Sequence, residues 1–179
     1  MVYVVAALVG FFFWTFAEYA LHAWGGHKPK GRTEGSREHL RHHSKPDYFT
    51  PWTKKLLLAV PVLSALFLIT APLFGMGAAG CFVAGFAAGW RTYEFVHRDL
   101  HVHAPRTFYG RWARRHHFHH HFTRPFMNHG VTSPIWDFVF RTYERPVVVR
   151  VPRRHAPKLP WLLDGGQIAD SLTGDFELV

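Results

Sequence analysis

The sequence predicts an all-α integral membrane protein of about three transmembrane helices with a cytosolic helical cap. Three observations predict it. Charged and apolar residues are segregated along the chain, two long stretches lack charge or nearly so, and the histidines cluster where those stretches end. The chain has 179 residues, with 21 Lys+Arg against 12 Asp+Glu and a formal net charge of +9. Its mean hydropathy is nevertheless only -0.06, because 48% of the residues are hydrophobic and they are not mixed with the charges.

All basic residues lie in two blocks, Lys28 to Lys55 and Arg91 to Lys158. Leu56 to Trp90 carries no charge at all. As one helix that run would reach roughly 52 Å at about 1.5 Å per residue, against the ~20 residues that one span needs. Pro72 and the Gly75–Gly77 region supply a break, so two spans are expected, roughly 56–72 and 76–96. Val2 to Leu21 makes the third, interrupted only by Glu18. It lacks the basic start and the small-residue cleavage site of a signal peptide and is expected to be retained. Lys/Arg asymmetry places the 28–55 loop and everything after Arg91 on the cytoplasmic side. The positive charge therefore marks topology and attraction to anionic headgroups. No nucleic-acid motif accompanies it, and nucleic acid is not expected as a partner. The single cysteine, Cys81, excludes an internal disulfide and a thiolate zinc cluster.

The histidines fall into four clusters: His22 and His27; His39, His42 and His43; His97 and His101; and a run from His116 to His121 broken only by Phe118. On an α-helix, positions i, i+3 and i+4 share a face, so His39, His42 and His43 are expected to point one way and His97 and His101 likewise. His22 and His27 stand about 140° apart on a helix, and Gly25-Gly26 between them reads as a helix stop. The last run offers two registers, 116/119/120 and 117/120/121, which spacing leaves open. Imidazoles stacked a turn apart converge at metal-ligand distance. Their number exceeds what one four- to six-coordinate ion uses, so two ions are expected, giving the cap a histidine-rich dimetal site. Imidazole suits Zn, Cu, Fe and Ni alike. Glu18 and Glu94, near His22 and His97, are the expected carboxylates that orient ligating imidazoles. His103 and His155 read as ordinary polar residues.

Glu18-Tyr19 followed by Leu21-His22, the histidine pairs and triplets, and Tyr93-Glu94-x2-His97-x3-His101 resemble the fatty acid hydroxylase/sterol desaturase superfamily. Gly130-Val131-Thr132-Ser133 and the segment from Trp136-Asp137 to Thr142-Tyr143 are similar to fatty acid 2-hydroxylases, here without a cytochrome b5 domain. The resemblance runs from about Phe11 to Tyr143. It implies a membrane-bound, non-haem diiron monooxygenase of lipid metabolism. Such an enzyme takes dioxygen, and electrons from a separate donor of ferredoxin or cytochrome b5 type, to hydroxylate a fatty acyl or sphingolipid-like substrate. Carried over, the ligands are His22, His27, His39, His42, His43, His97 and His101, and the His120-His121-Phe122 ending selects His117, His120 and His121 from the last run. His116, His119 and His129 are supernumerary candidates. No catalytic residue is expected beyond the metal centre. Zinc is the alternative metal on isolation, and sterol oxidation or desaturation and carotenoid hydroxylation are the alternative reactions.

The rival from another class is a membrane metal-binding or transport protein. Transporters set ionisable ligands within broken spans near the midplane, and residues 56–90 contain none. Residues 1–144 are expected to form the membrane-embedded domain. Residues 145–179, with three prolines between 152 and 160 and no basic residue after Pro160, are expected to form a strap over the soluble face or a partly disordered tail.

Overall fold

A computed structural model describes all 179 residues. It contains helices α1 (Val2–Ala20), α2 (Glu34–Ser44), α3 (Trp52–Phe74), α4 (Met76–Val102), α5 (Phe108–Phe122) and the short α6 (Ile135–Val139). A π-helical segment, Leu21–His27, continues directly from α1. By internal packing the chain divides into two compact units: Met1–Glu18 with Thr50–Glu94, and Tyr19–Phe49 with Phe95–Val179.

Two helical stretches are long and apolar enough to cross a membrane, Val2–His27 with 26 residues and Trp52–Phe74 with 23. α3 buries none of its residues within the protein, as expected of a helix solvated by lipid. It passes through Pro61 and Pro72 without ending. The break falls at Gly75, whose φ of +80° no side-chain-bearing residue adopts cheaply. Residues 76–96, the third expected span, fall within α4, which is not among the helices long and apolar enough to cross a membrane.

Small residues set the packing of the first unit. A Cβ on Gly85 would lie 1.9 Å from the Ala7 carbonyl oxygen, and one on Gly10 would lie 2.0 Å from that of Phe82. The backbones of α1 and α4 thus touch, which only glycine permits. Gly89 receives the Trp14 side chain in the same way, whereas a Cβ on Gly80 would meet nothing within 4 Å. Around this seam Trp14 meets Phe86 edge-on at 5.2 Å, and Phe13 packs on Phe82 at 5.9 Å. Glu94 pairs with Lys55 and accepts a hydrogen bond from Trp90 Nε1 at 3.3 Å.

The second unit is not all-helical. β1 (Val149–Val151) pairs in parallel with β4 (Phe176–Leu178), and β2 (Leu163–Asp164) pairs antiparallel with β3 (Gln167–Ile168). Of the two expectations for residues 145–179, a strap or a partly disordered tail, these paired strands fit the tail the less well. The reason is an apolar cluster that composition alone underrates. Val149, Val151, Leu159, Leu162, Leu172 and Phe176 close around Phe118 of α5. Trp161 joins them and donates from Nε1 to the His101 carbonyl at 3.1 Å. Arg114, 1% exposed, donates to the Asp99, His103 and Gly110 carbonyls and pairs with the Asp99 carboxylate. It thereby satisfies the His103 carbonyl just past the C-terminus of α4 and adds a second donor to the Asp99 carbonyl, which His103 N already reaches.

The seam yields a paired test. Gly85→Ala forces a Cβ into the Ala7 carbonyl and is expected to cost about 3 kcal/mol, lowering the apparent melting temperature in detergent by about 6–12 °C. Gly80→Ala, in open space on the same helix, is expected to raise it slightly through helix propensity.

Candidate metal centre

The ten histidines carried over from the resemblance gather within the second unit into two groups of five. One comprises His22, His27, His39, His43 and His120; the other comprises His42, His97, His101, His117 and His121. Within each group the offered ligand atoms lie within 4.8 Å of one another.

Helix geometry explains the partition. In α2, His39 and His43 are one turn apart and enter the first group, while His42 enters the second. In α5 the roles reverse, since His117 and His121 enter the second group and His120 the first. Each triplet therefore does not serve one point, as its shared face suggests; it straddles two. The neighbours His42 and His43 are rotated about 100° from each other, enough to send one imidazole to each group. His43 and His121 stack across the divide at 4.1 Å, with their rings 9° from parallel.

His22 and His27 reach the first group by a different device. The Gly25-Gly26 pair does not stop the helix, which widens to a π register instead. Lys28 N donates to the Ala23 carbonyl at 3.2 Å, an i→i−5 bond. In a π-helix, residues five apart come onto one face, and the two rings stack at 5.5 Å. Gly26 has a separate reason to be small, because a Cβ there would lie 2.6 Å from His39 Cδ2. Buried Ser36 links the two elements, donating to the Gly26 carbonyl at 2.6 Å while accepting from Gly31 N at 2.9 Å. Thr33 caps α2 by accepting from Ser36 N.

The nitrogens converge. His27 Nε2 lies 2.8 Å from His39 Nε2 and 3.0 Å from His120 Nε2, and His120 Nε2 lies 3.1 Å from His43 Nε2. In the second group His101 Nε2 and His117 Nε2 are 2.9 Å apart. For metal–nitrogen bonds of about 2.1 Å, ligands at right angles stand about 3.0 Å apart and tetrahedral ones about 3.4 Å.

Backbone carbonyls decide which nitrogen is free. His22 Nδ1 donates to the His129 carbonyl at 2.5 Å, His42 Nδ1 to that of Tyr48 at 2.7 Å, and His120 Nδ1 to that of Met127 at 2.7 Å. A carbonyl can only accept, so each proton sits on Nδ1 and each Nε2 keeps its lone pair. Burial, reinforced by neighbouring imidazoles, holds His39, His43, His117, His120 and His121 well below the usual histidine range. They are neutral at physiological pH, the state that ligation requires. His22 Nε2, His117 Nδ1 and both nitrogens of His121 are buried without a hydrogen-bond partner. A donor set of neutral imidazoles with buried lone pairs fits a metal ion in each group.

The two expected carboxylates belong to the first unit. Both oxygens of Glu94 are engaged by Lys55 and Trp90, and Glu18 is buried beside Tyr93. Orientation of the imidazoles by carbonyls was not legible in the sequence, because any residue presents a carbonyl. The supernumerary histidines separate as well. His116 stacks on Trp112 at 5.1 Å and approaches Asp137 at 3.4 Å, and His119 faces Glu144 at 3.6 Å. Only His129 borders a group, with its ring 5.2 Å from that of His120. His103 pairs with Asp99, and His155 stacks on Phe122.

Asp137 is the residue that spacing missed. Wholly buried, it accepts from His129 N at 2.8 Å, Gly130 N at 2.9 Å and Thr142 Oγ1 at 2.8 Å. Burial alone would raise its pKa, but hydrogen bonds from His116, Gly130 N and Thr142 outweigh it and hold the carboxyl below the usual range. It thus clamps the loop whose His129 carbonyl orients His22. Its signals in the sequence are its place in the 136–143 segment that carries the resemblance and its acidic character inside the apolar run Ile135–Phe140.

A family model for fatty acid hydroxylases matches residues 7–142, and the chain belongs to that family. It is 32% identical over 143 residues to a dihydroceramide fatty acyl 2-hydroxylase of Arabidopsis thaliana, covering 75% of this chain and 59% of that one. It is 25% identical to the fatty acid 2-hydroxylase of Mus musculus, covering 88% of this chain and 42% of the mouse protein. The solved structure of full-length scs7p, in which only the hydroxylase domain is visible, superposes with a TM-score of 0.68 at 29% identity, covering 79% of this chain and 56% of that one. The chain thus spans less than two thirds of these relatives.

Asp137→Asn keeps the volume but points an amide N–H at donors. It is expected to cost about 3 kcal/mol, seen as a lower denaturation midpoint of the metal-free protein.

Proposed function

We propose that this protein is a lipid hydroxylase of monooxygenase type, using dioxygen at a diiron centre held by the two histidine groups. The single observation that carries the reading is the pairing of two five-imidazole groups through the same two helices, α2 and α5, in a member of the fatty acid hydroxylase family. Residues 76–96 form the third span and the site lies on the cytoplasmic side, in keeping with the Lys/Arg asymmetry. Residues 1–144 constitute the hydroxylase domain and 145–179 its buttress. The names of the relatives favour the acyl chain of a ceramide-like lipid as substrate.

Bound iron supplies the oxidant for an unactivated C–H bond, which no side chain provides. The chain's own residues do the rest. Ten imidazoles hold the ions, and the carbonyls of Tyr48, Met127 and His129 keep His42, His120 and His22 in the ligating tautomer. Burial of the groups excludes water, which would otherwise quench a strong oxidant. In the first unit, a cavity of about 170 Å³ lined by Trp14, Leu58, Val62, Leu63 and Phe86 offers an apolar surface suited to hydrocarbon. Electrons come from a separate ferredoxin- or cytochrome b5-type protein.

Two measurements test this. Purified protein is expected to contain about two irons per chain. His42→Ala and His43→Ala, adjacent in sequence, should each fall to about one, with different residual spectra because each empties a different group. One zinc per chain, indifferent to both substitutions, would sink the diiron reading. Comparative lipid mass spectrometry with and without expression of the protein is expected to show one lipid class gaining a single oxygen, lost in His42→Ala. An unchanged lipidome would remove the enzymatic reading.

A further inference from the structure

A second pocket lies in the unit that holds the histidines, formed by residues the metal groups do not use. It encloses about 380 Å³ and is lined by Phe108, Arg111, Trp112, Arg115, His116, Tyr143, Arg145 and Pro146. That volume lies within the range of small-molecule sites. Arg111 and Arg115 stand one turn apart on α5, so both guanidiniums share a face. Asp175 pairs with both, and Arg145 is exposed with no ion pair. Three guanidiniums against one carboxylate leave a surplus of two positive charges. Arg115 donates to the Pro146 and Val147 carbonyls through Nη2, while its Nε is buried without a partner. His116 is 1% exposed, and its Nδ1 likewise lacks a hydrogen-bond partner.

Aromatic rings form the remaining wall. His116 is sandwiched between Trp112 at 5.1 Å and Tyr143 at 5.8 Å, both rings within 25° of parallel. The rim is apolar and faces outward: Phe108 is 90% exposed, Val147 82%, and Phe138, stacked on Tyr143 at 4.1 Å, 59%. Large exposed apolar side chains grouped around a cationic pocket are costly in water. Phe and Val at the acyl boundary with arginines at phosphate level match the two layers of a bilayer surface. Arginine holds phosphate oxygens in a fork. A protein partner docking by charge would not call for an apolar rim around a concave site.

We propose that this pocket binds the phosphate-bearing headgroup of an anionic membrane phospholipid and thereby seats its unit on the bilayer surface. The proposal rests on the membrane reading of the chain and not on its hydroxylase activity, so the test reads binding alone. The full-length protein in uncharged detergent is titrated with short-chain phosphatidylglycerol, short-chain phosphatidylcholine and inorganic phosphate, following tryptophan fluorescence and thermophoresis. Saturable binding of phosphatidylglycerol is expected, tighter than that of either other probe. Arg145→Glu, an exposed substitution, should weaken it at least tenfold with the iron content unchanged. Phe108→Asp should weaken phosphatidylglycerol while leaving phosphate alone. Equal affinity for phosphatidylcholine, equal affinity for free phosphate, or an Arg145→Glu titration matching the parent would each overturn the proposal. Loss in Arg145→Glu of binding to an acidic ferredoxin, with phosphatidylglycerol binding unchanged, would assign the pocket to a protein and overturn it too.

Discussion

A neutral imidazole has one donor and one acceptor, and this protein gathers ten imidazoles, seven buried and three half-buried, in two small volumes. Where Nδ1–H is given to a backbone carbonyl, as in His22, His42 and His120, the Nε2 lone pair must face inward. Lone pairs converging at about 3 Å repel unless they share an electrophile. The fold answers this constraint at every level. It lowers the pKa of eight of the ten histidines by burial, orients three of them by carbonyls, and draws each group from several separate chain segments, so that no one helix can relax the convergence.

Several features that look unrelated serve that gathering. The π-helical register brings His22 and His27 onto one side. Gly26 lets the His39 ring approach, and Ser36 ties the π segment to α2. Asp137 clamps the loop that presents the His129 carbonyl. On α5 the division of labour is sharpest. His117, His120 and His121 face the metal groups, whereas Phe118 enters the apolar cluster built by residues 149–176. The C-terminal segment thus braces the helix that feeds both groups, and Trp161 bonds the His101 carbonyl as well.

Much of this was legible beforehand. Helix periodicity in His39/His43, His97/His101 and His117/His121 marks pairs that one face presents together, and those pairs do stay together. The charge-free run from Leu56 to Trp90 marks α3 and the apolar half of α4, with Gly75 as the break. Other features escaped. A shared helix face spans about 100° of arc, so His42 and His43 could serve one ion or two by spacing alone. The glycine pair at 25–26 reads as a stop because a π register depends on i→i−5 bonds that no residue type announces. The C-terminal segment looked tail-like because its apolar residues fall in short runs, Val147–Val149 and Trp161–Leu163, too brief to announce a core, and they cohere only once strands from both ends of the segment pair.

By itself, then, the sequence determined the chemistry available: ten histidines at one-turn and box spacings, apolar stretches long enough for a membrane, and a charge balance that separates the two. It did so because ligand type, helix period and hydropathy are local properties. Tertiary structure alone decided how the histidines are shared between two groups, which carbonyls set their tautomers, and that three arginines with exposed aromatics form a second pocket. Those outcomes depend on contacts between residues tens of positions apart, which are fixed only when α2, α5 and the closing segment pack.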